Sequence, residues 1–258
     1  MQENKIRITW YGTASVRIAA GSSQLLIDPF FPFPDSGIKV AADAYSGCDH
    51  ILVSHGHFDH ISSIGRIIRS DTAVYCTRAP YRTLSRMGVG KKNLRMIEAG
   101  SVLDIGDFHI TAYKGKHISL TAWDIVKSLF SRRVRSNRKG IIKKLLRITT
   151  SPEKKESLCY LVEAYGRRIL ILGSLAVDDD IAYPEGADIA FFPYQGTKDL
   201  FGIASGIYEK LRPKAVLLTH YDDTFPPFSS EIDTSGIEEY LRERTAVYKL
   251  EHGGSIEI

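Results

Sequence analysis

Apolar and polar residues alternate in short runs near the start of the chain, with the period expected of half-buried β-strands. Glycine and serine separate these runs and favour tight turns between them. The predicted strands are Ile6–Trp10, Ser15–Ile18 and Gln24–Ile27. We therefore expect the chain to begin with a set of hairpins.

Further along, apolar runs typical of strands alternate with segments whose apolar residues recur at helical spacing. The predicted strands are Ala73–Cys76, Leu158–Val162, Arg168–Leu172, Ile189–Phe192, Val216–Thr219 and Ala246–Lys249. The predicted helices are Ile61–Ser70, Tyr81–Met87, Phe201–Leu211 and Ser235–Arg244. This order predicts an α/β fold in a single domain over residues 1–258. The order fits two mixed sheets with the helices outside.

Length and composition agree with one globular domain. The 258 residues are 43% hydrophobic, and a chain of this size buries about three quarters of its unfolded surface. No apolar stretch reaches the roughly 18 residues needed to cross a bilayer, and Met1–Lys5 leads into strand pattern without a signal-peptide core. Cys48, Cys76 and Cys159 are odd in number and widely spaced, which predicts buried free thiols. We therefore expect a cytoplasmic protein.

Four metal-capable side chains fall within six positions directly after an apolar run. His55 and His57 are two residues apart, so in extended backbone they project to the same side. Asp59 and His60 follow where the strand is expected to turn into a helix that begins near Ser62. Two ligand sets can therefore diverge from one loop toward two adjacent ions. Imidazole and carboxylate ligands suit zinc and its neighbours in the first transition row, so the sequence predicts a divalent-metal site.

The order His-x-His-x-Asp-His after a hydrophobic strand resembles the signature of the metallo-β-lactamase fold superfamily. Trp10–Val16 resembles its first hairpin, and Leu25–Pro29 resembles its strand that ends in an aspartate. His117 and His220 each follow a predicted strand, as the third and last histidines of that superfamily do. These matches run in order from residue 6 to residue 220. With the order of strands and helices, the resemblance implies a four-layer αββα sandwich of two mixed sheets. Tyr221–Asp222 is similar to the lactonase and phospholipase-D-like branch.

The resemblance implies a site for one or two zinc ions, with manganese or iron as alternatives. The implied ligands of the first ion are His55, His57 and His117, and those of the second ion are Asp59, His60 and His220. Asp59 would also be the catalytic residue, orienting the nucleophile or moving its proton. Asp28 would accept a hydrogen bond behind the ligands and so fix an imidazole or the loop that carries it.

One position departs from the superfamily's pattern. After Arg168–Leu172 the superfamily usually has Gly-Asp, whose carboxylate bridges the two metals, whereas this chain has Gly173 and Ser174. A neutral hydroxyl is a poor bridging ligand, so the second ion is expected to bind more weakly, with Ser174 hydrogen-bonded to a metal-bound water. A subclass of metallo-β-lactamases also has serine there and holds two zincs. Alternatively one of the acidic residues 178–180 substitutes, although such a run more often forms a solvated turn.

Residues 118–156 do not fit the compact core, because they are strongly basic and have apolar residues at helical spacing, such as Ile125 and Leu129. The net charge of the chain is only +4, so positive charge is concentrated in this insertion. Three interpretations stay open: helices that pack on the sandwich, a lid that attracts an anionic substrate, or an interfacial helix on an anionic membrane. No nucleic-acid recognition motif accompanies the charge, so no specific nucleic-acid partner is expected.

Together these features predict a hydrolase in which a metal-bound hydroxide attacks an ester-type bond, phosphodiester or lactone, of an anionic small molecule or lipid. The alternative is a weakly catalytic metal-binding protein whose basic insertion binds a membrane or a partner. The sequence assigns no substrate-binding residue. The loop Phe30–Pro34 is either a hydrophobic wall for substrate or a packed turn. His50, His109 and His252 lack ligand spacing and are predicted to be structural or exposed.

Overall fold

The computed structural model describes residues 4–41, 43–116 and 156–258, and in these it has two seven-stranded sheets. The strands of the first sheet are β1 (Ile6–Gly12), β2 (Ser15–Ala20), β3 (Ser23–Ile27), β4 (His50–Leu52), β5 (Ala73–Cys76), β6 (Leu94–Met96) and β14 (Ser255–Glu257). Those of the second sheet are β7 (Val102–Ile105), β8 (Phe108–Gly115), β9 (Ser157–Ala164), β10 (Arg167–Ile171), β11 (Ile189–Pro193), β12 (Ala215–Thr219) and β13 (Ala246–Tyr248).

Both sheets are mixed. In the first, with spatial order β14-β1-β2-β3-β4-β5-β6, the strands up to β3 pair antiparallel and those from β3 onward pair parallel. In the second, with order β13-β12-β11-β10-β9-β8-β7, the pairs from β13 to β10 are parallel and those from β10 to β7 antiparallel. The helices in the described residues are α1 (Phe58–Ile61), α2 (Ile64–Ile67), α3 (Arg78–Arg86), α4 (Leu200–Leu211) and α5 (Ser235–Arg242).

Alternating side chains explain why both faces of each sheet are covered. Leu25 and Ile27 of β3 contribute to the large core between the sheets, whereas Leu26 belongs to the smaller core formed with α1 to α3. On the second sheet, Ile207 of α4 and Ile237 of α5 join the large core. The predicted αββα sandwich is therefore confirmed.

The helix after the metal-capable loop differs from the prediction. One helix over Ile61–Ser70 was expected to begin near Ser62, but α1 begins at Phe58 and a second short helix follows it. At the break, the Ser63 hydroxyl accepts a hydrogen bond from the backbone N–H of Phe31 at 2.8 Å. This contact ties the turn between the two helices to the loop that follows β3.

Two further expectations concern the chain as a whole. The three cysteines are free and buried, and burial raises the pKa of the Cys159 thiol to about 11. Within the residues that the structure describes, no helix has the length and apolar character that crossing a bilayer demands. His117 and the predicted insertion up to residue 155 lie outside the described residues.

Candidate metal centre

The loop that follows β4 carries the first pair of histidines. His55 is buried and His57 is half-buried, and His55 Nε2 lies 2.9 Å from His57 Nδ1. Their ring centroids are 4.5 Å apart. The two nitrogens therefore converge on one point, as expected for two side chains on the same side of an extended backbone. The third histidine implied for this ion, His117, lies outside the described residues.

A second set of donor atoms comes from two ends of the fold. Asp59 and His60 lie in the first turn of α1, and His220 directly follows β12. One ligand atom from each of these three residues lies within 4.8 Å of the other two. Nε2 of His220 is 2.8 Å from Asp59 Oδ2, and Nε2 of His60 is 3.5 Å from the same oxygen. Chain segments about 160 residues apart in sequence thus meet at one small cluster.

The two sets belong to one site. The ring centroids of His55 and His60 are only 4.0 Å apart, and those of His60 and His220 are 5.6 Å apart. This proximity suits a pair of ions about 3.5–4 Å apart, the separation typical of two-metal hydrolytic sites.

Asp28, buried at the end of β3, supports both sets from behind. Its Oδ1 accepts the Ser54 backbone N–H at 2.8 Å, and its Oδ2 accepts the Ser54 hydroxyl at 2.5 Å. The same Oδ2 lies 2.8 Å from Nδ1 of His60. A carboxylate holds the proton of that ring at Nδ1, which leaves the Nε2 lone pair toward Asp59 and His220. Ser54 is a site residue that the sequence does not predict, because its short polar side chain carries no local signal of this contact.

The donor set fits a divalent metal ion. Two imidazoles and a carboxylate are ligands that zinc takes in proteins, provided that the carboxylate is ionised. Burial of Asp59 favours its neutral form, but the charge on nearby His60 and the hydrogen bond from His220 outweigh burial and lower the pKa of the carboxyl. Nδ1 of His220 has no hydrogen-bond partner among the described residues. A metal bound at Nε2 would displace the proton that this atom donates to Asp59, and the ring could then carry its proton on Nδ1, which no described residue occupies.

Three residues at the site have left-handed backbone conformations without being glycine: Thr13 with φ 44°, Asp28 with φ 44° and His220 with φ 62°. For residues with a side chain, this conformation costs roughly 1–2 kcal/mol each. Such strain persists only where surrounding contacts over-determine it, and it concentrates at functional sites. The strain at Asp28 and His220 is therefore in keeping with a site whose geometry the fold enforces.

Ser174 follows β10 at the edge of the sheet that faces the histidine loop. The neighbouring Gly173 packs against that loop, because a Cβ at this position would lie 2.9 Å from Ser54 Cβ and would clash with the Leu158 carbonyl. Of the acidic residues that were weighed as substitutes, Asp178 instead pairs with Lys114 at 2.7 Å and Asp179 with Lys210 at 3.2 Å. These two carboxylates therefore do not substitute at the site in this structure.

An aromatic cluster borders the metal-capable loop on its outer side. Each member lies within five residues after Asp28, His57 or His220 in the sequence. The members are Phe30, Phe33, Phe58 and Phe225. Phe58 contacts Phe30 and Phe33 edge to face, with centroids 5.3 and 5.5 Å apart. The loop that was weighed as a wall or a packed turn thus forms part of a packed cluster, which Phe225 completes. No local pattern around Phe225 predicts that it joins this cluster.

A cavity of about 750 Å³ lies against this cluster. Its lining includes Phe30, Phe31, Phe33 and Phe58 together with the cations Lys39 and Arg66, and no acidic residue among those the structure describes. The Arg66 guanidinium lies over the Phe31 ring at 4.5 Å. The volume is within the range of ligand pockets, about 300–1,000 Å³.

Comparison with known proteins agrees with this geometry. The family model described as "Beta-lactamase superfamily domain" matches residues 7–220. A protein of Methylobacterium nodulans named "UPF0173 metal-dependent hydrolase" is 32% identical over 115 residues, which are 43% of this chain and 48% of that protein. The chain spans about half the length of the curated relatives it matches.

Two solved structures show the same fold. Igni18, a novel metallo hydrolase from the archaeon Ignicoccus hospitalis, superposes with a TM-score of 0.66 at 16% identity, covering 98% of each chain. The Zn(2+)-bound PqqB from Methylobacterium extorquens superposes with a TM-score of 0.58 at 13% identity, covering 95% of this chain and 87% of that one.

Proposed function

The chain belongs to the β-lactamase superfamily domain family, and from that premise we propose that it is a metal-dependent hydrolase. The observation that carries the proposal is the convergence of two donor sets, His55 with His57 and Asp59 with His60 and His220, at one buried site. The relative named a metal-dependent hydrolase supports it. We propose zinc as the metal, which the imidazole-rich donor set and the zinc-bound PqqB structure both favour.

His55 and His57, with His117, would hold one ion, and Asp59, His60 and His220 the other. Bound divalent ions lower the pKa of a water molecule and stabilise negative charge that develops on a substrate. Asp59, ionised at this site, orients the attacking water and takes its proton. Asp28 keeps the proton of His60 on Nδ1, so that Nε2 stays available as a ligand atom.

We propose an ester-type bond as the target, a phosphodiester or a lactone, in an anionic small molecule or lipid. The water oxygen bonds to the carbonyl carbon or phosphorus, the bond to the leaving oxygen breaks, and a proton reaches that oxygen. None of the proposed metal ligands that the structure describes lines the cavity, but its wall includes Phe58 of the metal-capable loop, which places it beside the site. It supports this substrate class, because an aromatic wall suits an apolar group while Lys39 and Arg66 suit an anionic one. The basic segment at residues 118–156 adds long-range attraction for anions.

The reaction is tested with metal-free protein reconstituted with Zn²⁺, Mn²⁺ or Fe²⁺ and assayed on phosphodiester, lactone and thioester reporters. We expect hydrolysis that appears with metal and scales with the bound ion measured by elemental analysis. Activity that is equal without metal would refute the proposal. Full metal content with no hydrolysis of any reporter would instead favour the weakly catalytic metal-binding protein.

The substrate class is tested by removing the two cavity cations in Lys39→Gln and Arg66→Gln. We expect KM for an anionic reporter to rise about 1.4- to fivefold per charge, since exposed ion pairs contribute about 0.2–1 kcal/mol. The kcat value and the KM for a neutral reporter should change little. Arg244→Gln is the matched control, because Arg244 stacks on Tyr240 at 3.9 Å as Arg66 does on Phe31. An unchanged KM in both cavity variants would contradict the assignment.

A further inference from the structure

We infer that His252, near the C-terminal end of the chain, positions the metal-ligand candidate His220 through Asp222 and Thr13. The inference rests on the proposed metal site and assigns a role to a histidine outside it. His252 Nε2 lies 2.9 Å from Asp222 Oδ2. Both carboxylate oxygens of Asp222 accept the backbone N–H of Thr13 at 3.0 Å. The carbonyl of Thr13 in turn accepts the backbone N–H of His220 at 2.9 Å.

This chain of contacts holds two strained residues. Thr13 and His220 both have left-handed backbone conformations, with φ 44° and 62°. Neither residue is a glycine, so each needs contacts that hold it in this conformation. Thr13 is fixed from both sides, by Asp222 at its N–H and by the indole of Trp10, which donates to its carbonyl at 2.8 Å. The orientation of the His220 backbone therefore depends on how firmly Asp222 holds Thr13.

His252 is built into the fold rather than placed at random on its surface. Its ring stacks on Trp10 with centroids 4.8 Å apart and planes 22° apart. The next residue, Gly253, donates its N–H to the Trp10 carbonyl at 2.7 Å. Gly12 leaves room for the pair, because a Cβ there would lie 2.9 Å from Asp222 Oδ2 and 3.1 Å from His252 Cδ2. Three separate features thus bring this imidazole to this carboxylate.

The expected effect is confined to one of the two ions. Asp222 is 4% exposed and the His252 side chain 26% exposed, so loss of the imidazole lets water reach the carboxylate and turn it away from Thr13. The His220 ring would then be less well held toward Asp59. The loop of His55 is held by different contacts, since Asp28 bonds to Ser54 there. The first ion should therefore be unaffected.

The test is a Zn²⁺ titration of metal-free protein against a chromophoric chelator, with His220→Ala identifying which affinity belongs to the second ion. We expect His252→Ala to weaken binding of that ion about 10-fold, the low end of the effect of removing a direct partner of a ligand, because the contact passes through Asp222 and Thr13. His252→Gln, which keeps a donor toward Asp222, should stay within a few-fold of the wild type. The melting temperature of each metal-free variant is measured in parallel.

His109→Ala is the matched control, because His109 pairs with Asp104 at 2.7 Å on the surface, where the two side chains are 51% and 82% exposed. It should leave both affinities unchanged. If His252→Ala binds both ions with wild-type affinity, the inference about His252 is overturned and the proposed function is not. Equal weakening of both ions together with a lower metal-free melting temperature would also overturn it, in favour of a general stabilising role. A wild type that binds no zinc would overturn the proposed function itself.

Discussion

Replacing Asp28 with asparagine tests how the protein presents His60 to a metal ion. In the wild type the carboxylate lies 2.8 Å from His60 Nδ1 and holds the ring proton there. Asparagine has nearly the same shape, and its oxygen can still accept the Ser54 N–H. Its amide N–H₂, however, faces Nδ1 as a donor and favours a lone pair on that nitrogen. The ring proton then moves to Nε2, the atom that faces Asp59.

The magnitude follows from the hydrogen bond to His60, which changes sign. The Ser54 hydroxyl, which donates to the same oxygen in the wild type, can rotate to accept from the amide. A hydrogen bond to a charged group contributes about 1.5–3 kcal/mol. At 1.4 kcal/mol for each factor of ten, affinity for the second ion should fall about 10- to 100-fold. The melting temperature of the metal-free protein should change far less, because the substitution preserves volume and the contact with the Ser54 backbone N–H.

The assay is a competitive Zn²⁺ titration with thermal melting of the metal-free protein. Asp104→Asn is the control, because the same change beside His109 alters a pair that is exposed and remote from the site. If Asp28→Asn binds both ions as tightly as the wild type, Asp28 does not set the tautomer of His60 and the reasoning fails.

Three further predictions concern the ligands and the insertion. His57→Ala should lose metal and all hydrolysis, since it removes a donor of the first ion; elemental analysis showing full stoichiometry would mean that His57 is not a ligand. Ser174→Asp should raise the affinity for the second ion in a chelator titration, because it adds a negatively charged ligand. Equal affinities for the two ions in the wild type would contradict the expectation that the second site is weaker. Replacing the three arginines of residues 132–135 by serine should reduce activity on anionic substrates or binding to anionic vesicles at low salt. High salt should reduce both in the wild type, because salt screens charge beyond about 10 Å at 0.1 M. A triple variant that behaves as the wild type in both assays would leave the insertion a solvated scaffold. The variants are His57→Ala, Ser174→Asp and the combination of Arg132→Ser, Arg133→Ser and Arg135→Ser.

Periodicity predicted the central strands, because they are continuous apolar runs, but the sandwich was inferred from their order together with the family resemblance. Periodicity missed β6 and β14 at the two margins of the first sheet, where each strand is three residues long and includes exposed polar residues. The break after α1 also escaped prediction, and Ser63 at that break bonds to Phe31, 32 residues away. Local pattern carries no information about such a partner.

The metal-capable loop was predictable because its side chains are close in sequence. The groups that position these side chains lie far from them, and from one another, in the sequence. Asp222 bonds to Thr13 across 209 residues, and His252 reaches Asp222 only because the C-terminal strand β14 pairs with β1. His252 was expected to be structural or exposed from its isolated position in the sequence, and its partner became visible only in the folded chain.

Anomalous diffraction from crystals grown with Zn²⁺ tests the central claim most directly. We predict a peak about 2.0–2.2 Å from Asp59 Oδ2, His60 Nε2 and His220 Nε2, the distance expected for zinc bound to nitrogen and oxygen ligands. A second peak should lie at the same distance from His55 Nε2 and His57 Nδ1. Zinc bound elsewhere, with no peak at either set, would contradict the assignment of this site as the metal centre.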